Sequence, residues 1–200
     1  MKKIYFTTVL FILIFIVACT NTSSSKNEIT VAKLTERENA ILSTMTEQSF
    51  VFDFHVDHTY EEVSVWVEKY EFGQLVERNI IEITAMIAES GFIIFTQSKL
   101  PFENKEKVFY IGVGDESGSS SITHVDEKIN DLKEMSTVWG TFSESKKANE
   151  REVVLASIGY SSEESGINSP TTDFYEDMEA HMDELDVFDV SYVLKAEFKK

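Results

Sequence analysis

The sequence predicts a mainly β (α+β) fold: an antiparallel β-sandwich or curved sheet of about 7–8 strands with two or three short helices. Two observations carry this. Strand-length apolar segments recur every 10 to 20 residues or so with short early links, which favours antiparallel neighbours. Both the first and last long segments alternate strictly, which places one side of each in a core. With 42% hydrophobic and 12% aromatic residues, the chain has the mass to build that core.

The elements follow in order. Thr35-Glu36-Arg37-Glu38 has the T-x-x-E spacing of a capping box, and Ile41, Leu42 and Met45 continue it as a helical stripe. Phe50, Phe52, Phe54 and Val56 then alternate with Val51, Asp53, His55 and Asp57, which predicts a half-buried strand. Further strands are expected over 62–72, 80–87, 92–98, 107–113, 137–142 and 152–160, with turns at Gly73, Ser90-Gly91 and Gly114 to Gly118. The serine-rich stretch Asp115 to Ser121 reads as a mobile turn. Val125, Ile129, Leu132 and Met135 have helical spacing and predict a second helix. Asp173, with Glu176 three residues on, is expected to cap a third, whose apolar face is Phe174, Met178, Met182 and Leu185. Phe188, Val190, Tyr192, Leu194, Ala196 and Phe198 close the chain as a core strand.

The N-terminus is of another kind. Met1-Lys2-Lys3 is a short positive region, followed from Ile4 to Val17 by an apolar stretch broken only by Thr7 and Thr8. As a helix these 14 residues reach about 21 Å, short of the ~30 Å hydrocarbon core, so they read as a signal-peptide core and not as a span. The stretch ends in Ile16-Val17-Ala18-Cys19, which resembles the lipobox of bacterial lipoproteins. That resemblance implies a diacylglyceryl group on the Cys19 sulfur and cleavage between Ala18 and Cys19. Two acyl chains then suffice for stable anchoring, so the membrane is an expected partner through Cys19 and the expected location is its extracytoplasmic face. The expected organisation is therefore 1–18 as leader, 19–27 as lipidated cysteine and polar tether, and 28–200 as one exported domain. In its cysteine-poor, Lys/Ile/Phe-rich composition the exported part also resembles small lipoproteins of low-GC Gram-positive bacteria.

Charge narrows the partners. Acidic residues outnumber basic ones 35 to 18, and loss of Lys2 and Lys3 with the leader leaves 16 basic residues and a net charge of −19. Nucleic acid is excluded as a partner, because its binding needs a basic surface. A single cysteine permits no intrachain disulfide, so packing must hold the fold.

Three groups of residues are candidates for function. Asp53, His55 and Asp57 share a strand face with His58 adjacent, a donor set suited to a divalent metal, although any solvated strand face also carries such residues. Residues 161–190 hold ten acidic and no basic residues but lack the D-x-[DN]-x-[DN]-G calcium loop, and His181 within them reads as structural. Trp66, Tyr70 and Phe72 lie opposite Val63, Val65 and Val67, so either a helix covers them or they form an aromatic platform for a sugar or peptide; Trp139 poses the same choice.

No G-x-S-x-G or H-E-x-x-H motif occurs, and Gly112-Val113-Gly114 lacks the Lys-Ser/Thr of a phosphate loop. The sequence therefore favours a membrane-anchored, non-enzymatic module for a protein or envelope ligand, with no cofactor. Its rivals are an envelope hydrolase using Asp/Glu/His chemistry and an acidic cation-binding domain. The anchor has a direct test: Cys19→Ser should abolish acyl labelling and release the protein from membranes, and a variant that stayed membrane-bound would contradict it.

Overall fold

A computed structural model describes residues 27–99, 107–126, 135–149, 151–163 and 166–200. They form a two-layer β-sandwich. Its strands are β1 (Glu28–Val31), β2 (Thr46–His55), β3 (Glu62–Glu71), β4 (Gln74–Met86), β5 (Ser90–Ser98), β6 (Lys107–Asp115), β7 (Gly118–Asp126), β8 (Ser136–Thr141), β9 (Ser145–Lys147), β10 (Val153–Ser161) and β11 (Val190–Lys199). Helix α1 spans Glu36–Met45, α2 spans Thr172–Glu176, and a 3-10 turn covers Glu179–Leu185. One sheet is ordered β7-β6-β5-β2-β1-β9 and the other β4-β3-β11-β10-β8, with all pairings antiparallel. Among the described residues no helix is long and apolar enough to cross a membrane.

Alternation builds the layers. Phe50, Phe52 and Phe54 on β2 point inward beside Ile93 and Phe95 on β5 and Phe109, Ile111 and Val113 on β6, all buried. Facing them are Val63, Val65 and Val67 of β3, Ile158 and Tyr160 of β10, and Tyr192, Leu194, Ala196 and Phe198 of β11. Aromatic edges join the sheets, with Phe54 against Phe198 at 5.4 Å between ring centroids and Phe109 against Tyr192 at 4.6 Å. Lys69 also crosses the gap: its ammonium lies 2.8 Å from Asp126 on β7, and Asp126 accepts from the Tyr192 hydroxyl at 2.9 Å. All three are buried, so each charge is tolerated only because the other neutralises it.

The fold class expected from the sequence is the one observed, with more strands. The short strands β1 and β9 carry too few residues to show a period. Strand β7 is the larger miss: Gly118 to Ser121 begin a strand instead of continuing a turn, because β6 supplies the hydrogen-bonding partner that so polar a segment cannot advertise. Val125 belongs to that strand and not to a helix, whereas Ile129 and Leu132 of the expected second helix lie outside the described residues. Met135 precedes β8.

Two helix expectations change in detail. The Thr35/Glu38 capping box forms, with Glu38 accepting from the Thr35 amide at 2.7 Å. The third helix breaks into α2 and the 3-10 turn, kinked at His181. Asp173 does not cap it: Thr171 occupies that position, and Thr171 is held instead by the Glu184 carboxylate, which accepts from its amide at 2.6 Å and its hydroxyl at 2.7 Å. Phe174, Met178 and Leu185 are still buried, as their spacing predicts.

Between β3 and β4 the chain turns on two residues, Phe72 (φ 48°) and Gly73 (φ 72°), the left-handed pair that matches the twist of a two-residue hairpin. Breaking the buried pair should be costly. Lys69→Ala is expected to destabilise the domain by about 3–5 kcal/mol in denaturant unfolding, since it strands Asp126 in the core; a loss below about 1 kcal/mol would show that the pair does not bind the sheets together.

Candidate functional site

The metal-type group is not assembled. Asp53 is exposed on the outer side of β2, and His55 Nδ1 lies 2.7 Å from the Ser90 hydroxyl. Asp57 is engaged in structural bonds, accepting from the Thr59 amide two residues on at 2.9 Å and from the side-chain amide of Asn27, 30 residues away in sequence, at 2.9 Å. Bonds from Thr59 and Asn27 hold its carboxyl well below the usual carboxylate range. No described cavity is lined by two of Asp53, His55, Asp57 and His58, and among the described residues no three His, Cys, Asp or Glu side chains gather in a geometry that could hold a metal ion. Asp115 is likewise held low by its bonds from Ser117, and it caps the β6–β7 turn.

The aromatic platform is overturned as well. Trp66 and Tyr70 are buried, at 6% and 4% exposure, and only Phe72 at the hairpin tip stands in solvent. Both rings serve Glu68, which lies buried between them on the outer side of β3. The Tyr70 hydroxyl and the Trp66 indole N–H donate to its carboxylate, Lys195 Nζ of β11 lies at 2.9 Å, and Arg78 Nη1 approaches at 3.9 Å. Burial pushes the Glu68 carboxyl up, but bonds from Tyr70 and Lys195 and the Lys195 charge outweigh it and leave the group below its ordinary value. The polar tips of the rings, invisible in a hydrophobic pattern, account for their burial.

Along the acidic C-terminal segment, α2 and the 3-10 turn pack on the outside of the five-stranded sheet. The Tyr175 hydroxyl meets Ser157 Oγ at 2.8 Å, and Phe188 lies so close over Gly159 that an added Cβ there would sit 2.6 Å from its ring. Burial pushes the Tyr175 phenol up to about 12. His181 Nδ1 lies 3.6 Å from Glu184 at the kink, a structural place.

Beside these helices opens a cleft of about 900 Å³ between β9, β10, the end of α2 and the outer side of β11. Four cations line it, Lys146, Lys147, Arg151 and Lys195, with five acids, Glu152, Glu176, Asp177, Glu179 and Glu197, among them. Lys195 bridges Glu68 and Glu152, the latter at 3.2 Å. Lys146 is nearly buried: it donates to the Tyr175 carbonyl, has Glu176 at 4.0 Å and stands 5.9 Å from the Phe142 ring. Burial lowers its pKa, which the Glu176 carboxylate only partly offsets. Among the described residues Lys147 and Arg151 form no ion pair, so neither is tied to one of the carboxylates that share the cleft with them. Sequence reading passed over this site. The available signal was three cations within six residues, at 146, 147 and 151, in a chain otherwise dominated by acid.

Trp139 resolves the other way from Trp66, at 52% exposure on edge strand β8. It borders a groove of about 440 Å³ with Val31, Leu34, Phe50 and Phe52, on the side of the sandwich where α1 lies.

These features define the class: an antiparallel β-sandwich with an open, mixed-charge cleft on the five-stranded sheet, an apolar groove under α1 on the six-stranded sheet, and a second groove between β2 and β8 at the sandwich edge. The chain belongs to the YgaN domain family, whose model matches residues 28–198. No curated protein and no solved structure matches it.

The Glu68 cluster makes stability depend on pH. An unfolded Glu titrates near ~4.3 and the folded one lower, so the network contributes fully above that value and is lost as pH falls through the folded pKa. Glu68→Gln should lower stability by about 1.5–3 kcal/mol at neutral pH and flatten the decline of melting temperature between neutrality and pH 3. Asp57, Asp115 and Glu38 are also held low, so the difference between the two proteins is the readout; parallel curves would contradict the assignment.

Proposed function

We propose that this protein is a lipid-anchored, extracytoplasmic binding module, held at the membrane through Cys19, that takes a protein or cell-envelope ligand without chemically changing it. The observation that carries the binding reading is the cleft, where Lys147 and Arg151, unpaired among the described residues, stand beside acids such as Glu152 and Glu179 in a strongly acidic chain. Such a surface complements a ligand bearing both carboxylates and amines, as short peptides of the envelope do. The absence of a recognisable catalytic motif in the sequence agrees with binding. So does the engagement of the carboxyls held below their ordinary range, Asp57 and Glu68, in structural bonds. The hydrolase alternative loses its main support with Asp53, His55, Asp57 and His58 spread over an open surface.

The binding reading is tested by titrating a peptidoglycan-derived, zwitterionic muropeptide while recording amide shifts. Shifts confined to 145–154 and 175–179, abolished by Lys147→Glu with Arg151→Glu, are expected. Absent shifts, or shifts that survive both charge reversals, would count against the cleft as the binding surface.

A further inference from the structure

We infer that the α1-bearing face of the six-stranded sheet lies against the lipid surface, so that the cleft on the opposite sheet points away from the membrane. The inference rests on the Cys19 anchor proposed above and adds an orientation to it.

Helix α1 is the first ground. None of its ten residues is buried, and Ile41 and Met45 stand 57% and 61% exposed. A helix so short has little stability of its own in water and normally owes its persistence to a covered apolar side. Beneath it, a groove of about 410 Å³ runs between Ile41 and Leu42 and the outward side chains Val51, Phe92 and Ile94 of the sheet. The groove bordered by Trp139 opens between β2 and β8 at the adjoining edge of the sandwich and shares Ala32, Leu34 and Val51 with it, so the two run together around that rim. A half-exposed tryptophan beside an amphipathic helix is what a water–lipid boundary accommodates, taking up the ring and keeping its N–H wet.

The second ground is where the chain comes from. Asn27 is fixed to the body of the sandwich: its carbonyl accepts from Ala148 N at 2.9 Å and its side chain exchanges bonds with Asp57 at 2.9 and 2.7 Å. From there β1 runs its four residues, about 13 Å, directly into Ala32 and Leu34 of the apolar surface. The eight residues from Cys19 to Lys26 span at most about 26–29 Å. That length lets the lipid attachment point lie level with α1.

Charge sets the same orientation. The helices on the outside of the other sheet and the link between them carry Asp173, Glu176, Asp177, Glu179, Asp183 and Glu184 against the cleft cations Lys146, Lys147, Arg151 and Lys195, a net acidic side that anionic headgroups would repel least if that sheet faced away. On the α1 side Lys33 and Arg37 cancel Glu36 and Glu38, and Asp53 adds one acid at the groove floor.

The chain has only two tryptophans, and Trp66 is buried; Trp139, on edge strand β8 of the five-stranded sheet, borders the groove it shares with Ala32, Leu34 and Asn39 and so reports on the rim of the sandwich next to α1. Lipidated, mature-length protein carrying Trp66→Phe is reconstituted into phosphatidylcholine vesicles with and without bromine on the acyl chains. An indole at the boundary lies within reach of the bromines, so emission should fall about twofold. Ile41→Glu with Met45→Glu should restore it while the protein still floats with the vesicles. If Trp66→Phe misfolds, the difference between wild type and Trp139→Phe gives the same reading. Flotation without quenching overturns the orientation and leaves the anchor standing. If in that case Trp139 is shielded from acrylamide in proportion to protein density, a second copy covers the face; if it is open to acrylamide, nothing does. Failure to float overturns the anchor and the orientation together.

Discussion

Burial of β3 on both of its sides is the constraint on which the rest of the structure depends. Val63, Val65 and Val67 turn into the sandwich, while Ser64, Trp66 and Glu68 turn outward and are buried as well. A strand enclosed this way must satisfy every polar group it carries, because water cannot. Glu68 and Lys69 are neighbours in sequence, yet they point to opposite layers and find opposite charges there, Lys195 on the outside and Asp126 across the core. The first pairing fixes β11 and one wall of the cleft; the second ties β7, in the other sheet, to the same strand.

The two sides of the sandwich consequently differ in chemistry. The five-stranded sheet is covered by α2 and the 3-10 turn, and the space they leave uncovered is lined with charge. Among the described residues the six-stranded sheet is covered by α1 alone, which sits high over Val51, Phe92 and Ile94 and leaves apolar surface on view. Under the proposed anchoring, one side would serve the support and the other the ligand. This division underlies the proposed function and orientation.

Legibility in the sequence followed burial. Strands with one solvated side, such as β2 and β11, announce themselves by alternation, since water and core impose a period of two. Strand β7 carried no such mark because its residues are exposed on nearly every position and it is held by ladder hydrogen bonds to β6. The C-terminal helix was legible in its buried residues and not in its cap: Phe174, Met178 and Leu185 obey the spacing, while the Thr171–Glu184 bond joins residues 13 apart that no local pattern relates. The aromatic group misled for a related reason. Trp66 and Tyr70 look like a platform when counted as apolar surface, and become donors to a buried carboxylate once Glu68 is seen between them.

What the sequence by itself determined is therefore the β-sandwich class, the alternating core, the α1 cap and the strongly acidic balance of the chain, all of which depend on spacing and composition. Where charge meets charge was decided only by the tertiary structure. Lys69 and Asp126, Glu68 and Lys195, and the cations at 146, 147, 151 and 195 lie on separate strands or in the link between them. Their distances are set by strand order and register, which is long-range packing that no local period encodes.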